Sequence, residues 1–251
     1  MEGSSRYPEA HASGGAEASS ESTPARLLIA DDHALLRGGM CAMLEIAPDL
    51  EVVGEAENGR EAVDLCRELD PDLVLMDLSM PEMDGIAATR AIKAEFPKIG
   101  VLVLTAHADQ NLLLEAIRAG AAGYVLKGVG PAQLVGVVRG TLSGESPVDQ
   151  ELVMQLVRRL AEEARPPAEP PTSAGELDEP APGSLTPREL DVLRSLATGK
   201  TNRQIAEALH LSLSTVKRHL ERIIAKLGVS DRTQAAVKAV ELGLIDPERA
   251  E

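Results

Sequence analysis

Asp72-Leu73-Val74-Leu75-Met76-Asp77-Leu78-Ser79-Met80-Pro81-Glu82-Met83-Asp84-Gly85 reads as a buried strand, an acid at its end and a tight turn into a helix. An apolar run without polar alternation, closed by a carboxylate and a turn, suits a parallel sheet covered on both faces. Three other runs share this design: Arg26 to Ala30 is followed by Asp31-Asp32, Ile99 to Leu104 by Thr105, and Tyr124 to Leu126 by Lys127. In an open parallel α/β sheet the strand carboxyl ends face one crevice, so these residues converge there although they are far apart in sequence.

Working outward, the spacing predicts strands over 26–31, 50–56, 72–77, 99–105 and 122–126, and helices over 34–47, 58–69, 85–95, 109–119 and 131–142. This alternation implies an α/β doubly wound five-stranded parallel sheet with helices on both faces. Gly38-Gly39 inside the first helix costs about 1 kcal/mol per glycine, a weakness the sequence does not explain. The chain divides into a tail over 1–24 without periodicity, a first domain over 25–145, a helix and proline-rich linker over 146–183, and a second domain over 184–251. An amphipathic helix over 149–164 carries Leu152, Val153, Leu156, Val157 and Leu160 on one side, suited to dock on either domain or to pair in a dimer. Pro166, Pro167, Pro170, Pro171, Pro180 and Pro182 then exclude helix, so the two domains are tethered rather than fused.

With 251 residues the chain is long enough for two hydrophobic cores. One Phe, two Tyr and no Trp argue against aromatic stacking platforms for single-stranded nucleic acid. No apolar stretch approaches the roughly 20 residues of a membrane span, and the first 24 residues lack an apolar signal core, so a cytoplasmic protein is expected. Cys41 and Cys66 fall on apolar helix positions and are expected as buried, reduced thiols. The net charge of −15 speaks against nucleic-acid binding until it is divided along the chain. Residues 1–183 hold 14 Lys/Arg against 31 Asp/Glu, net −17, whereas residues 184–243 hold 10 against 6, net +4. Only the C-terminal segment approaches phosphates favourably.

At the crevice, Asp31, Asp32 and Asp77 would repel one another without a cation among them, and hard oxygen donors point to Mg²⁺. Lys127 brings a compact charge to the same edge and Thr105 a hydroxyl. A carboxylate in such a place attacks a phosphorus centre and becomes an aspartyl phosphate, although a strand-end acid also serves simply as a helix cap or turn former. Leu28-Ile29-Ala30-Asp31-Asp32-His33, the run from Asp72 to Gly85, Val103-Leu104-Thr105-Ala106 and Gly123-Tyr124-Val125-Leu126-Lys127 resemble, in order and interval, the receiver domain of bacterial response regulators over residues 26–143. The resemblance implies that Asp77 takes a phosphoryl group from a sensor histidine kinase. It also implies that Asp32, the Asp77 carboxylate and the Ser79 backbone carbonyl hold Mg²⁺, with Asp31 supporting through water. Thr105 and Tyr124 match the family's switch pair, the hydroxyl moving to the phosphoryl group and the ring turning inward. Asp84-Gly85 is read as turn chemistry, and His33 and His107 as local polar residues rather than metal ligands. Gly128 stands where many receivers carry Pro, while Ser79 and His107 occupy positions that tune the lifetime of the acyl phosphate in the family.

Past the linker, Thr186-Pro187-Arg188-Glu189 forms a capping box with Pro at the first helical position, starting a helix to about Ala197. A short helix from Asn202 to Leu209, a turn over 210–212, a helix to Leu227 and a last helix from Asp231 to Leu242 complete an all-α four-helix domain. In the third helix Val216, Leu220, Ile223, Ile224 and Leu227 form a buried stripe, and Ser214, Lys217, Arg218, Glu221 and Arg222 the opposite face. A solvated face is the ordinary reading of such a set, but its place after a short helix and a turn makes it a recognition-helix candidate. Residues 184–246 resemble the LuxR-type helix-turn-helix of the NarL/FixJ regulators through Leu185 to Glu189, Gly199 to Ala206, Leu211 to His219, Lys226 to Val229 and Asp231 to Gln234. The resemblance puts Lys217 and Arg218 at base edges or adjacent phosphates, with Lys200, Asn202, Arg203 and Thr215 near the DNA backbone and Ser214 on the same face. Glu221 replaces a basic residue of relatives, and either accepts from a cytosine amino group or discourages contact there. His219 is expected to pack rather than read, and the small apolar last helix to pair with its copy in a dimer.

The expectation is therefore a DNA-binding transcriptional response regulator of a two-component system. Its partners are a sensor histidine kinase, double-stranded DNA and, when phosphorylated, a second copy, with no membrane. It is not an enzyme, beyond accepting and slowly losing its own phosphoryl group. A dinucleotide enzyme would need a glycine-rich turn after the first strand, where this chain has Ala30-Asp31-Asp32-His33. A regulator of the same fold that ignores phosphate and answers to a ligand or protein is opposed by intact Asp32, Asp77, Thr105 and Lys127, and an RNA-binding antiterminator by the helix-turn-helix pattern.

Overall fold

The computed structural model describes residues 23–106, 109–144 and 185–244. The tail over 1–22, His107, the helix over 149–164, the proline-rich linker and the residues after 244 lie outside the described residues.

The first domain alternates β1 (Ala25–Ala30), α1 (Ala34–Leu44), β2 (Leu50–Ala56), α2 (Gly59–Leu69), β3 (Leu73–Asp77), α3 (Gly85–Glu95), β4 (Gly100–Thr105), α4 (Gln110–Ala119), β5 (Gly123–Leu126) and α5 (Pro131–Leu142). All pairings are parallel and the strand order is β2-β1-β3-β4-β5, so the sheet reverses direction of growth between β1 and β3. That reversal opens the crevice at the strand carboxyl ends. Strand pleating splits each apolar run between two cores. Leu27, Ile29, Leu73 and Leu75 face α1 and α5, while Leu28, Ala30, Val74 and Met76 face α2 and α3. This double burial explains why β3 has no polar alternation: all five of its residues are buried.

α1 is shorter than its periodicity suggests, ending at Leu44 rather than 47. Pro48 disfavours helical geometry at Ala47, whose amide turns back to the Leu44 carbonyl instead. Gly38 and Gly39 are exposed and a Cβ at either would meet open space, so packing does not demand them. Cys41 and Cys66 are both free; Cys66 is buried and its thiol is pushed up to about 12 by that burial, whereas Cys41 is only half-buried.

The second domain contains α6 (Pro187–Ala197), α7 (Asn202–Ala208), α8 (Leu213–Leu227) and α9 (Arg232–Glu241). The capping box at Thr186 forms as its sequence predicts, and a second one joins Thr201 to Gln204. The expected stripe of α8 is buried at Val216, Leu220 and Ile223 against Leu193, Leu196, Ile205 and Ala236, with Ile224 and Leu227 at its edge.

α9 also seats on the first domain. Val237 and Val240 pack with Leu113, Leu114 and Ile117 of α4 and with the ring of Tyr124. The Thr233 hydroxyl donates to the Ala122 carbonyl at 2.8 Å, and the Gln234 amide to the carbonyls of Ile117 and Ala121 at 2.8 and 3.1 Å.

Candidate functional site

The end of β1 is tied down at several atoms. The Asp31 amide donates to the Ala56 carbonyl, and its Oδ1 accepts from the His33 amide at 2.9 Å, a turn that carries Asp32 outward. β3 delivers Asp77 beside it, and Lys127, one residue beyond β5, places Nζ 2.8 Å from both Asp31 Oδ2 and Asp77 Oδ2. Residues 46 and 50 positions apart in sequence thus share one cation at the sheet edge.

Asp31 and Asp77 are both buried. Burial pushes the Asp77 carboxyl above the usual aspartate range, the hydrogen bond and charge of Lys127 pull it back in part, and the Asp31 charge adds to the upward push. Burial would lower Lys127, but its bonds to Asp31 and Asp77 outweigh that and hold the ammonium above its ordinary value. Asp31, Asp32, His33 and Asp77 bring one ligand atom each to within 4.8 Å of one another. Three of the four donors are carboxylate oxygens, a set that fits a hard divalent cation. His33 is nearer this chemistry than the sequence suggests, its Nδ1 standing 2.7 Å from Asp32 Oδ1.

Thr105 closes β4 at the same edge and is buried, Tyr124 is half-buried on β5, and the exposed Ser79 follows β3. Asp84 caps α3 through the Ala87 amide, as turn chemistry predicts. Gly85 does more than turn: a Cβ there would lie 2.0 Å from the Asp77 carbonyl oxygen, so only glycine lets α3 start against the acid. Gly128 adopts φ 98, which the proline ring, fixed near −65°, cannot reach; the departure from Pro follows from the backbone of this turn.

In the second domain Ser214, Arg218, Glu221 and Arg222 are exposed along α8, with Thr215 and Lys217 half-buried. The Ser212 hydroxyl caps α8 at the Thr215 amide and lies 2.9 and 2.8 Å from the hydroxyls of Ser214 and Thr215, ordering the helix start. Arg203 is exposed at the start of α7. Asn202 departs from expectation. Its side chain is buried and accepts from Arg232 Nη1 at 3.0 Å, so it braces α7 against α9 rather than facing DNA. The other end of the same guanidinium holds the Lys200 carbonyl at 2.9 Å, fixing the turn that presents Lys200. Nothing in the sequence spacing marks Arg232 for this task. Glu189 was visible only as a cap; it also accepts from Lys226 at 2.6 Å, a bond that joins α6 to α8. The buried Nδ1 of His219 has no hydrogen-bond partner among the described residues, in keeping with a packing role.

Residues 27–139 match the response regulator receiver domain and residues 183–239 the bacterial regulatory proteins of the luxR family. The chain is 42% identical over 214 residues to the transcriptional regulatory protein LiaR of Bacillus subtilis (strain 168), an alignment covering 85% of this chain and 96% of LiaR. It belongs to the luxR-type response regulators. A second relative of this regulator is the response regulator protein VraR of Staphylococcus aureus (strain NCTC 8325 / PS 47), 39% identical over 220 residues, 88% of this chain and 98% of VraR. Among solved structures, a LuxR-family two-component response regulator from Aurantimonas sp. SI85-9A1 superposes with a TM-score of 0.50 at 36% identity, covering 55% of this chain and 98% of that one. The response regulator therefore joins a receiver, whose partner is a histidine kinase, to a DNA-binding domain acting in transcription. No described helix is long and apolar enough to cross a membrane.

Proposed function

We propose that Asp77 accepts a phosphoryl group from the phosphohistidine of a sensor kinase, and that this transfer releases α9 so that two copies bind a two-part DNA site in the cytoplasm. The observation that carries the first step is Lys127 Nζ, held 2.8 Å from both Asp31 and Asp77 at the sheet edge. As the phosphorus–nitrogen bond of the donor breaks, a phosphorus–oxygen bond forms to an Asp77 carboxylate oxygen, and Lys127 stands ready to neutralise an oxygen of the arriving group. Asp32, Asp77 and the Ser79 carbonyl would hold Mg²⁺, with Asp31 through water; the ion, when bound, neutralises charge on the phosphoryl oxygens. The chain's own chemistry ends there, apart from slow loss of the group to water.

The second step is supported by Tyr124, which packs against two clusters, one of Leu78, Val103, Ala116 and Ala121 within the first domain and the other of Leu113, Leu114, Ile117, Val237 and Val240 at the α9 seam. An inward turn of Tyr124 toward Thr105 would withdraw it from that seam. The helix covered is α9, while the polar face of α8 stays largely exposed, so the closed form blocks pairing of copies rather than the reading of bases. In this reading Lys217 and Arg218 meet base edges or phosphates, with Lys200, Arg203, Ser214 and Thr215 at the DNA backbone or on the same face. Glu221 discourages contact at its position.

Incubation with a small phosphodonor and Mg²⁺ should add one phosphoryl group, which Asp77→Asn abolishes. Full labelling of the Asn variant would remove the assignment. Gln234→Ala cuts two cross-domain bonds and should raise DNA binding without phosphodonor by about thirtyfold, taking each bond as about 1 kcal/mol net. Unchanged binding would refute release of α9 as the switch.

A further inference from the structure

Arg37 lies on α1, outside the motifs that define the acidic site, yet it is among the few buried charged residues of those described. Its guanidinium uses each nitrogen. Nε donates to Glu55 Oε2 at 2.8 Å, Nη2 to Glu57 Oε1 at 3.0 Å, and Nη1 to the backbone carbonyl of Asp31 at 2.8 Å. The last bond is the informative one. Asp31 stands just past β1, where the strand ladder no longer serves its carbonyl, and the bond is buried. A buried carbonyl without a partner is unfavourable, so the loop would rearrange if Arg37 were lost. The two glutamates belong to the end of β2 and the loop after it, so one planar fork fixes the β1–α1 loop to the β2 edge.

We propose that Arg37 is a positioning residue for the divalent cation site: by holding the Asp31 carbonyl it sets the peptide that carries Asp31 and Asp32, and thereby the two carboxylates' approach to Asp77. This rests on the reading of Asp31, Asp32 and Asp77 as a Mg²⁺ site. Arg37 touches neither the reacting oxygen nor any of the four candidate ligand atoms. Its charge is already matched by Glu55 and Glu57, so its contribution is geometric. Two opposing signs make the idea testable. If Arg37 acted only through its charge, removing a cation near the site would tighten binding of a divalent ion. If it positions the loop, removal weakens binding.

The test uses the full chain with Mn²⁺ as a probe, free aquo-ion being read by electron paramagnetic resonance, alongside the Mg²⁺ dependence of labelling by a small phosphodonor. Arg37→Met should raise the Mn²⁺ dissociation constant and the half-saturating Mg²⁺ concentration by about tenfold or more, with the labelling rate at saturating Mg²⁺ little changed. Glu57→Gln keeps the bond to Asp31 and should bind like the parent. Arg37→Lys retains a cation but not the fork, and should fall between the parent and Arg37→Met. Unchanged or tighter Mn²⁺ binding by a folded Arg37→Met overturns the proposal. Should Arg37→Met not fold, parent-like binding by Arg37→Lys overturns it. A parent that neither binds Mn²⁺ nor is labelled would overturn the Mg²⁺ reading itself, and this proposal with it.

Discussion

The receiver and the helical domain build their functional faces in opposite ways. In the receiver, Asp31, Asp77, Thr105 and Lys127 come from four different strand ends and meet only because the sheet order brings β1, β3, β4 and β5 side by side. Most of that site is buried, and the Lys127 ammonium lies against both Asp31 and Asp77. In the helical domain, the candidate DNA face is the outer side of a single helix, α8, set by its own period, and most of it is exposed. A topological site should fail when backbone spacing changes by an ångström. A periodic face should lose affinity residue by residue while the fold stands.

The sharpest way to break this contrast is Gly85→Ala. With the added Cβ 2.0 Å from the Asp77 carbonyl, the start of α3 must move, costing about 3 kcal/mol of receiver stability. Urea unfolding should show that loss together with reduced phosphodonor labelling; a parent-like variant would mean that the edge tolerates displacement. Lys217→Ala, on the periodic face, should weaken DNA binding by about 1 to 3 kcal/mol with no change in labelling or unfolding. Any change in labelling would show that the face is not independent.

Glu189 probes whether the helical domain has a topological element of its own. Burial alone would raise its carboxyl, but the bond from Lys226 and the Thr186 amide outweigh burial and hold it below the usual glutamate range. A carboxyl depressed by folding contributes stability above its ordinary value and loses it as pH falls through the depressed one. Glu189→Ala should cost about 1 to 2 kcal/mol at neutral pH, and the difference from the parent should shrink under acid; a pH-independent difference would assign the effect to lost packing rather than to the ionised carboxylate. Smallest of all, Thr201→Ala removes one cap of α7 and should cost about 1 kcal/mol, measured by thermal unfolding of the full chain.

Much of the molecule is legible from its residues because burial leaves a periodic mark. The apolar runs of β1, β3, β4 and β5 give the parallel sheet, the Thr186 box opens α6, and the stripe from Val216 to Leu227 gives the inner side of α8. Asp32, Asp77 and Lys127 are legible because a charged residue closing an apolar run needs a reason. Asn202, Arg37 and Arg232 are not. A polar residue in a polar-looking segment reads as solvated, and only the fold shows that Asn202 is turned inward to Arg232 while Arg37 reaches back to β1 and β2.

The sequence by itself determined the element order, the two-domain division and the acids that gather at one edge, since strand and helix periods and turn residues act over a few positions. The tertiary structure alone decided that Lys127 bridges Asp31 and Asp77, that Gly85 is required by contact with the Asp77 carbonyl, and that α9 rather than the recognition helix seats on α4 and Tyr124. The first and last depend on approach between segments tens to more than a hundred residues apart, and the Gly85 contact on the path of an eight-residue turn; local periodicity carries no record of which surface a residue will meet.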